Sequence, residues 1–165
     1  MKKPLLAIVL AALAIIGVTA FTAIDFMGSS SADSAAVKPG DCVMVTNHSD
    51  DRADVAGASC QDEKVTSKVG KVLTDKNATC PEGYTAIVPN TGDVKVCLLP
   101  NFVESACYQP DEAGEMWNKS TCAGDETVKV TKVISGAGDA SRCPESEGWA
   151  YPEPPITYCV SDVQP

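Results

Sequence analysis

The chain has 165 residues, 22 of them acidic against 13 basic, and a formal net charge of −9. So acidic a polypeptide is repelled by nucleic acid and by anionic membrane faces, which disfavours both as partner classes, and no nucleic-acid partner is expected. It carries a single histidine and eight cysteines, no two cysteines closer than ten residues, so it lacks the close ligand pairs of a structural zinc site and the Cys-x-x-Cys of a redox catalyst.

Residues 1–4, with Lys2 and Lys3, read as a short cytoplasmic n-region. Leu5 through Ile24 contains no charged residue, and such a run of about 20 residues is enough to span ~30 Å of hydrocarbon as a helix. Val18-Thr19-Ala20 also offers the small residues that a signal peptidase accepts. Residues 5–24 are therefore a signal anchor or a signal peptide, with retention favoured because the apolar run continues through Phe21 to Ile24. In either case the lysines stay cytoplasmic and the remainder is exported. The first cysteine is Cys42, too far along for lipoprotein attachment, so no lipid anchor is expected. Residues 25–39, including Gly28-Ser29-Ser30-Ser31-Ala32, have small and polar side chains without periodicity and predict a flexible tether.

From residue 40 onward the cysteines fall into two sets of four: Cys42, Cys60, Cys80, Cys97, then Cys107, Cys122, Cys143, Cys159. Corresponding members are offset by 65, 62, 63 and 62 residues. The intervening sequence repeats too, Lys68-Val69-Gly70-Lys71-Val72-Leu73 answering Lys129-Val130-Thr131-Lys132-Val133-Ile134. Repetition of this length implies one supersecondary unit used twice, with boundaries at residues 40–102 and 103–165. A unit of about 60 residues buries only ~60% of its unfolded surface, which is marginal without a staple, and exported cysteines in even number supply one.

Turn-forming clusters narrow the pairing. Asn47-His48-Ser49-Asp50-Asp51, Pro89-Asn90-Thr91-Gly92-Asp93, Pro110-Asp111-Glu112-Ala113-Gly114 and Pro152-Glu153-Pro154-Pro155 each sit midway between successive cysteines. A chain that reverses there brings its flanking cysteines together. Pairing in sequence order is expected, Cys42 with Cys60, Cys80 with Cys97, Cys107 with Cys122 and Cys143 with Cys159, each loop of about 15 residues adding ~3 kcal/mol.

Valine-rich segments with interleaved polar residues predict strands at Cys42–Val45, Lys64–Leu73, Tyr84–Val88, Val94–Leu99, Thr127–Ile134 and Ile156–Val160. Glu112–Trp117 offers one helical turn at most. The predicted fold class is thus mainly β: two tandem four-cysteine repeats of short antiparallel strands, disulfide-stapled, behind an N-terminal membrane helix. The short Cys97–Cys107 connection favours close packing of the two repeats.

With Gly40-Asp41-Cys42-Val43, Cys80-Pro81, Gly83-Tyr84 and Val96-Cys97-Leu98 in the first repeat, and Cys143-Pro144, Gly148-Trp149 and Tyr158-Cys159-Val160 in the second, the chain resembles the LppU-like family of small exported actinobacterial proteins over residues 40–160. That resemblance implies a membrane-anchored envelope protein and carries no activity with it. The chain departs from the family's lipoprotein pattern in having no lipobox cysteine, and its second repeat lacks Gly-Asp before Cys107.

No reactive constellation stands out. His48 lies beside Asp50 and Asp51 in a polar turn, near Ser49 and Ser59 but with no nucleophile elbow, and reads as a solvated loop side chain. Asp50, Asp51 and Asp54, like Asp111, Glu112 and Glu115, do not match a calcium-loop register and read as solvated turns. Catalytic, cofactor-binding and metal-binding residues are therefore expected to be absent. Trp117, Trp149 and Tyr151 are the candidates for an interaction surface, since amphipathic aromatics concentrate at interfaces; disulfide-rich modules also pack aromatics against their bridges, and a core or bridge-covering role is the favoured alternative. The expected function is a non-enzymatic, disulfide-rich interaction module of the cell envelope, held at the membrane through residues 5–24 and facing an envelope or secreted protein. The alternative is a secreted inhibitor or small-ligand-binding protein.

Overall fold

The computed structural model describes residues 37–144 and 147–163. The membrane segment expected at residues 5–24 lies outside them, as does the tether up to residue 36. Among the described residues no helix is long and apolar enough to cross a membrane.

Among the described residues ten strands account for the fold: β1 (Cys42–Ser49), β2 (Arg52–Ala58), β3 (Ser67–Leu73), β4 (Thr85–Pro89), β5 (Lys95–Pro100), β6 (Cys107–Pro110), β7 (Trp117–Ser120), β8 (Val128–Ser135), β9 (Gly148–Pro152) and β10 (Pro155–Asp162), with a 3-10 turn at Ala140–Arg142. All six segments expected from valine spacing contain a strand, and each midpoint cluster reverses the chain between two strands. The Glu112–Trp117 segment ends in strand, with Trp117 opening β7. β2, β6, β7 and β9 carry less valine and have no signature of their own.

The strands form two sheets. β1-β2-β4-β5-β3 is a closed barrel, and β7-β6-β8-β10-β9 is an open five-stranded sheet. Matching β6–β10 one for one with β1–β5 gives the same neighbour order in both halves. The difference is one seam: β2 and β4 pair, whereas their counterparts β7 and β9 stand at opposite edges. At that seam the expectation of antiparallel strands is corrected, because β2 and β4 run parallel, with Arg52 opposite Val88 and Ala53 opposite Pro89. The reason is arithmetic: directions alternate along β2-β1-β3-β5-β4, and a ring with an odd number of members cannot alternate throughout.

The length of the first hairpin in each half decides whether the ring closes. β1 and β2 run on past Met44↔Ala56, Val45↔Val55 and Thr46↔Asp54, far enough for the start of β2 to reach β4. The β6–β7 ladder stops at Pro110↔Trp117. Counted from the disulfide-flanked pairs Cys42↔Ala58 and Cys107↔Ser120, Pro110 occupies the place of Val45. Proline has no N–H with which to continue a ladder. Beyond it, the Asp111 N–H donates to the Met116 carbonyl at 2.8 Å, and Asp111 Oδ1 accepts from the N–H groups of Glu115 (2.9 Å) and Met116 (3.1 Å). The hairpin therefore ends in a tight turn where the first half continues as strand.

Both sheets belong to one compact unit. The barrel interior is filled by Val43, Ala53, Val55, Val69, Ile87, Val96 and Leu98, with Met116 of the second half packed against it. A second cluster runs across the junction, joining Tyr84, Leu99 and Phe102 to Tyr108, Val130, Tyr151, Ile156 and Tyr158. Phe102 lies on the connection between β5 and β6, where the boundary between repeats was drawn, and is only 4% exposed. Its ring sits 4.2 Å from Tyr108, 5.1 Å from Tyr158 and 5.6 Å from Trp117. Hydroxyls reinforce the junction: Tyr158 donates to the Pro100 carbonyl at 2.5 Å, and Tyr84 donates to the Glu153 carbonyl at 2.8 Å while accepting from the Glu153 N–H at 3.1 Å. That tyrosine crosses Gly70, where a Cβ would collide with its ring and approach Glu153 O to 2.9 Å.

Candidate interaction site

Four disulfides fix the scaffold, Cys42–Cys60, Cys80–Cys97, Cys107–Cys122 and Cys143–Cys159. Among the described residues no cysteine is free. Each bridge joins the two ends of a hairpin, so the sulfurs meet wherever a midpoint turn reverses the chain. Four such bonds suggest an oxidising, extracytoplasmic environment.

Of the three aromatics expected at a surface, the structure brings two to the junction and buries the third. Trp117 opens β7 and Trp149 lies in β9; their rings are 5.0 Å apart at 39°, and Trp149 is 5.8 Å from Phe102. Both indoles are partly buried. The tryptophan pair thus spans the gap between β7 and β9 with side chains, at the position where the first half is closed by β2 and β4. Tyr151 is 7% exposed and packs edge-on against Tyr84 at 5.2 Å. It is a core residue, because alternation along β9 places it on the same inward face as Trp149 but deeper. Burial, and secondarily the neighbouring Tyr84, pushes its hydroxyl up to about 12. Burial acts in the same direction on Tyr158, with Tyr151 as the next cause.

Two clefts flank Trp117. One, of about 240 Å³, is bounded by Val45, His48 and Lys64 of the barrel half and by Asp111, Met116 and Trp117 of the other. The second, of about 520 Å³, includes Asp50, Asp51, Tyr84 and Glu115. His48 is placed differently from the sequence reading: it belongs to β1, which continues through a register slip between Thr46 and Ser49, with Asn47 at φ 52°. Its side chain is only 20% exposed and its Nε2 approaches Glu115 Oε2 at 3.4 Å, without the alignment of a hydrogen bond. Thr85 Oγ1 meanwhile donates to the Glu115 carbonyl at 2.8 Å. The tip of the second half's shortened hairpin is thereby docked on the barrel.

Of the acidic residues expected in solvated turns, Asp54 instead lies in the paired strand β2, opposite Thr46. Asp54 accepts from the carboxamides of Asn47 (2.6 Å) and Asn90 (2.9 Å), linking the first hairpin to the end of β4, and these hydrogen bonds hold its carboxyl below the ordinary range. Among the described residues no three His, Cys, Asp or Glu side chains converge as a metal site.

A backbone feature has no side-chain signature in the sequence. The Val160 N–H donates to the Glu147 carbonyl at 3.3 Å, which continues the Cys159↔Gly148 register and fixes the parity of the β9–β10 ladder. Trp149 and Tyr151 turn their backbone groups toward β10, and Gly148, Ala150 and Pro152 turn theirs outward. In the barrel half the matching positions, set by the pairs Ala86↔Cys97 and Gly148↔Cys159, are Ala86, Val88 and Asn90. There the Val88 N–H donates to the Asp51 carbonyl at 2.7 Å and the Asn90 N–H to the Ala53 carbonyl at 2.9 Å. Ala150, the counterpart of Val88, has no such acceptor among the described residues. It lies in an open cleft of about 360 Å³ bounded by Glu82, Gly83, Gly148, Trp149 and Tyr151.

No protein-family model, curated protein or solved structure matches this chain.

Proposed function

We propose that the protein is an extracytoplasmic, non-enzymatic interaction module of the cell envelope, held at the membrane by residues 5–24 and recognising a partner protein along the junction of its two sheets. The observation that carries this reading is the Trp117–Trp149 pair, partly buried and 5.0 Å apart at the junction, on a scaffold held by four disulfides. Rigid aromatic anchors beside clefts lose little conformational entropy on contact and dominate interface energetics. The resemblance to LppU-like envelope proteins agrees with the location and adds no activity.

Cross-linking in cells followed by mass spectrometry of the membrane fraction tests this directly. A reproducible envelope partner, cross-linked near Trp117 and Trp149 and lost in a folded Trp149→Ala variant, is expected. Partner capture undiminished in that variant counts against the aromatic junction as the contact face.

The clefts beside Trp117, about 240 and 520 Å³, favour a second reading, a secreted inhibitor or small-ligand binder. The larger of the two is of the order that accommodates a small molecule. Recovery of a mature chain free in the medium, starting near Phe21, would select it.

A further inference from the structure

We propose that the outer edge of β9 accepts an extended segment of a partner protein, which adds a parallel strand and closes the second half as β2 closes the first. This rests on the interaction-module reading and names its mode of contact.

The two halves supply the comparison. In the barrel, Val88 N–H meets the Asp51 carbonyl and Asn90 N–H meets the Ala53 carbonyl. In the other half, counting from Ala58 and Ser120, the positions of Asp51 and Ala53 fall at Ala113 and Glu115. Those residues have left the seam: the Glu115 carbonyl accepts from Thr85 Oγ1, and its side chain approaches His48. The segment that would have closed the second ring is committed to the barrel, and among the described residues the Ala150 N–H lacks the carbonyl that its counterpart has. Both Gly148 and Ala150 are partly accessible, and an exposed row of outward N–H and C=O groups is the template that strand addition uses.

The occupant follows from backbone chemistry and charge. Only an extended chain presents N–H and C=O groups at the spacing of a strand edge. Pro152 cannot donate, so the incoming strand takes hydrogen bonds from Gly148 and Ala150. Glu82 lines the cleft and exposed Glu147 precedes β9, with no ion pair to either among the described residues. A complementary segment therefore carries lysine or arginine beside its strand-forming core. A second copy of this chain, at net charge −9, is disfavoured by repulsion, as are residues 25–36, which include Asp25 and Asp33 and no basic residue.

Amide exchange on the full-length chain in detergent micelles tests the proposal, with a capped ten-residue peptide of alternating valine and threonine flanked by lysines as the probe. Ala150 is expected to exchange at least tenfold faster than Val88 without peptide, and to become protected tenfold or more when the peptide is added. A glutamate-flanked peptide should give at least tenfold weaker protection. Ala150→Pro removes an outward N–H without breaking a β9–β10 bond and should abolish binding while leaving the fold intact. Protection of Ala150 before any peptide is added, or growing with protein concentration, would overturn the proposal in favour of the chain's own segment or a second copy. Absence of protection at millimolar peptide would overturn it too, as would undiminished binding by Ala150→Pro. A partner cross-linked elsewhere along the junction would then leave the interaction module standing without the strand addition, whereas loss of both partner and peptide binding would remove both.

Discussion

The two halves have the same strand order and the same hairpin-closing disulfides, yet one is a closed barrel and the other an open sheet. Their divergence starts at one hairpin. Where Val45 carries the β1–β2 ladder onward, Pro110 ends the β6–β7 ladder and Asp111 folds the tip into a turn. The released residues are used elsewhere, with Glu115 against His48 and Thr85, and Met116 against the barrel interior. Opening one ring thus provides the contacts that dock it on the other, so closure and assembly draw on the same short segment.

The aromatic cluster is where the comparison breaks most readily. Phe102 touches Tyr108, Trp117, Trp149 and Tyr158, and removal of a buried phenylalanine ring costs about 3–5 kcal/mol. Phe102→Ala should lower denaturant stability by that amount, and the open half should lose amide protection before the barrel, whose interior cluster does not include Phe102. Simultaneous loss of protection in both halves would show that the closed ring has no independent stability.

Disulfide removal comes next. The bridges close loops with separations of 18 and 15 residues in the two first hairpins, and loop entropy assigns each about 3 kcal/mol. Replacing Cys42 and Cys60, or Cys107 and Cys122, with serine should therefore produce similar losses of global stability by chemical denaturation. Local exchange should differ, with β6–β7 opening more than β1–β2, since its ladder has four pairs and no closing neighbour.

The seam itself can be compared by proline substitution. Val88→Pro removes the N–H that donates to Asp51 and leaves that carbonyl unpaired, a cost of about 1–3 kcal/mol. Ala150→Pro at the matching position should cost under about 1 kcal/mol, as proline is tolerated where an edge N–H faces solvent. Thermal melts of the two variants measure the difference; equal losses would mean that β9 is paired as β4 is.

The last effect appears only in alkali and belongs mainly to the open half. A tyrosine whose folded pKa lies above its unfolded value of about 10 contributes stability that is complete below pH ~10 and lost as pH rises toward the folded value. Tyr151, pushed up to about 12 by burial, sets the window at roughly pH 10–12, and Tyr158 extends it upward. Tyrosinate absorbance should rise together with loss of near-ultraviolet dichroism. Tyr151→Phe should flatten the pH dependence in that window.

Much of the local structure was legible in the residues. Apolar, largely β-branched residues mark β3, β5, β8 and β10, and turn clusters midway between cysteines mark every hairpin and hence the partner of every sulfur. β6, β7 and β9 were illegible because their strand character comes from neighbours that pair with them rather than from β-branched side chains. At the candidate site, composition does not separate the three aromatics: Tyr151 is buried because Tyr84 from the other half packs against it, whereas Trp117 and Trp149 stay partly exposed. Asn47-His48-Ser49 has turn composition and implies a loop at His48; the register slip that keeps it in β1 exists only in the paired strands.

The sequence by itself determined a chain of hairpins, each spanned by its own disulfide, since those features depend on contacts within about 20 residues. Only the tertiary structure decided that five strands close into a ring with one parallel seam, that five others do not, and that Phe102 and its neighbours join them through one core. Those outcomes depend on backbone register between strands distant in the chain. A peptide N–H such as that of Ala150 is chemically the same as every other, and whether it finds a carbonyl is fixed by where Asp51, or Ala113 at the matching position, comes to lie.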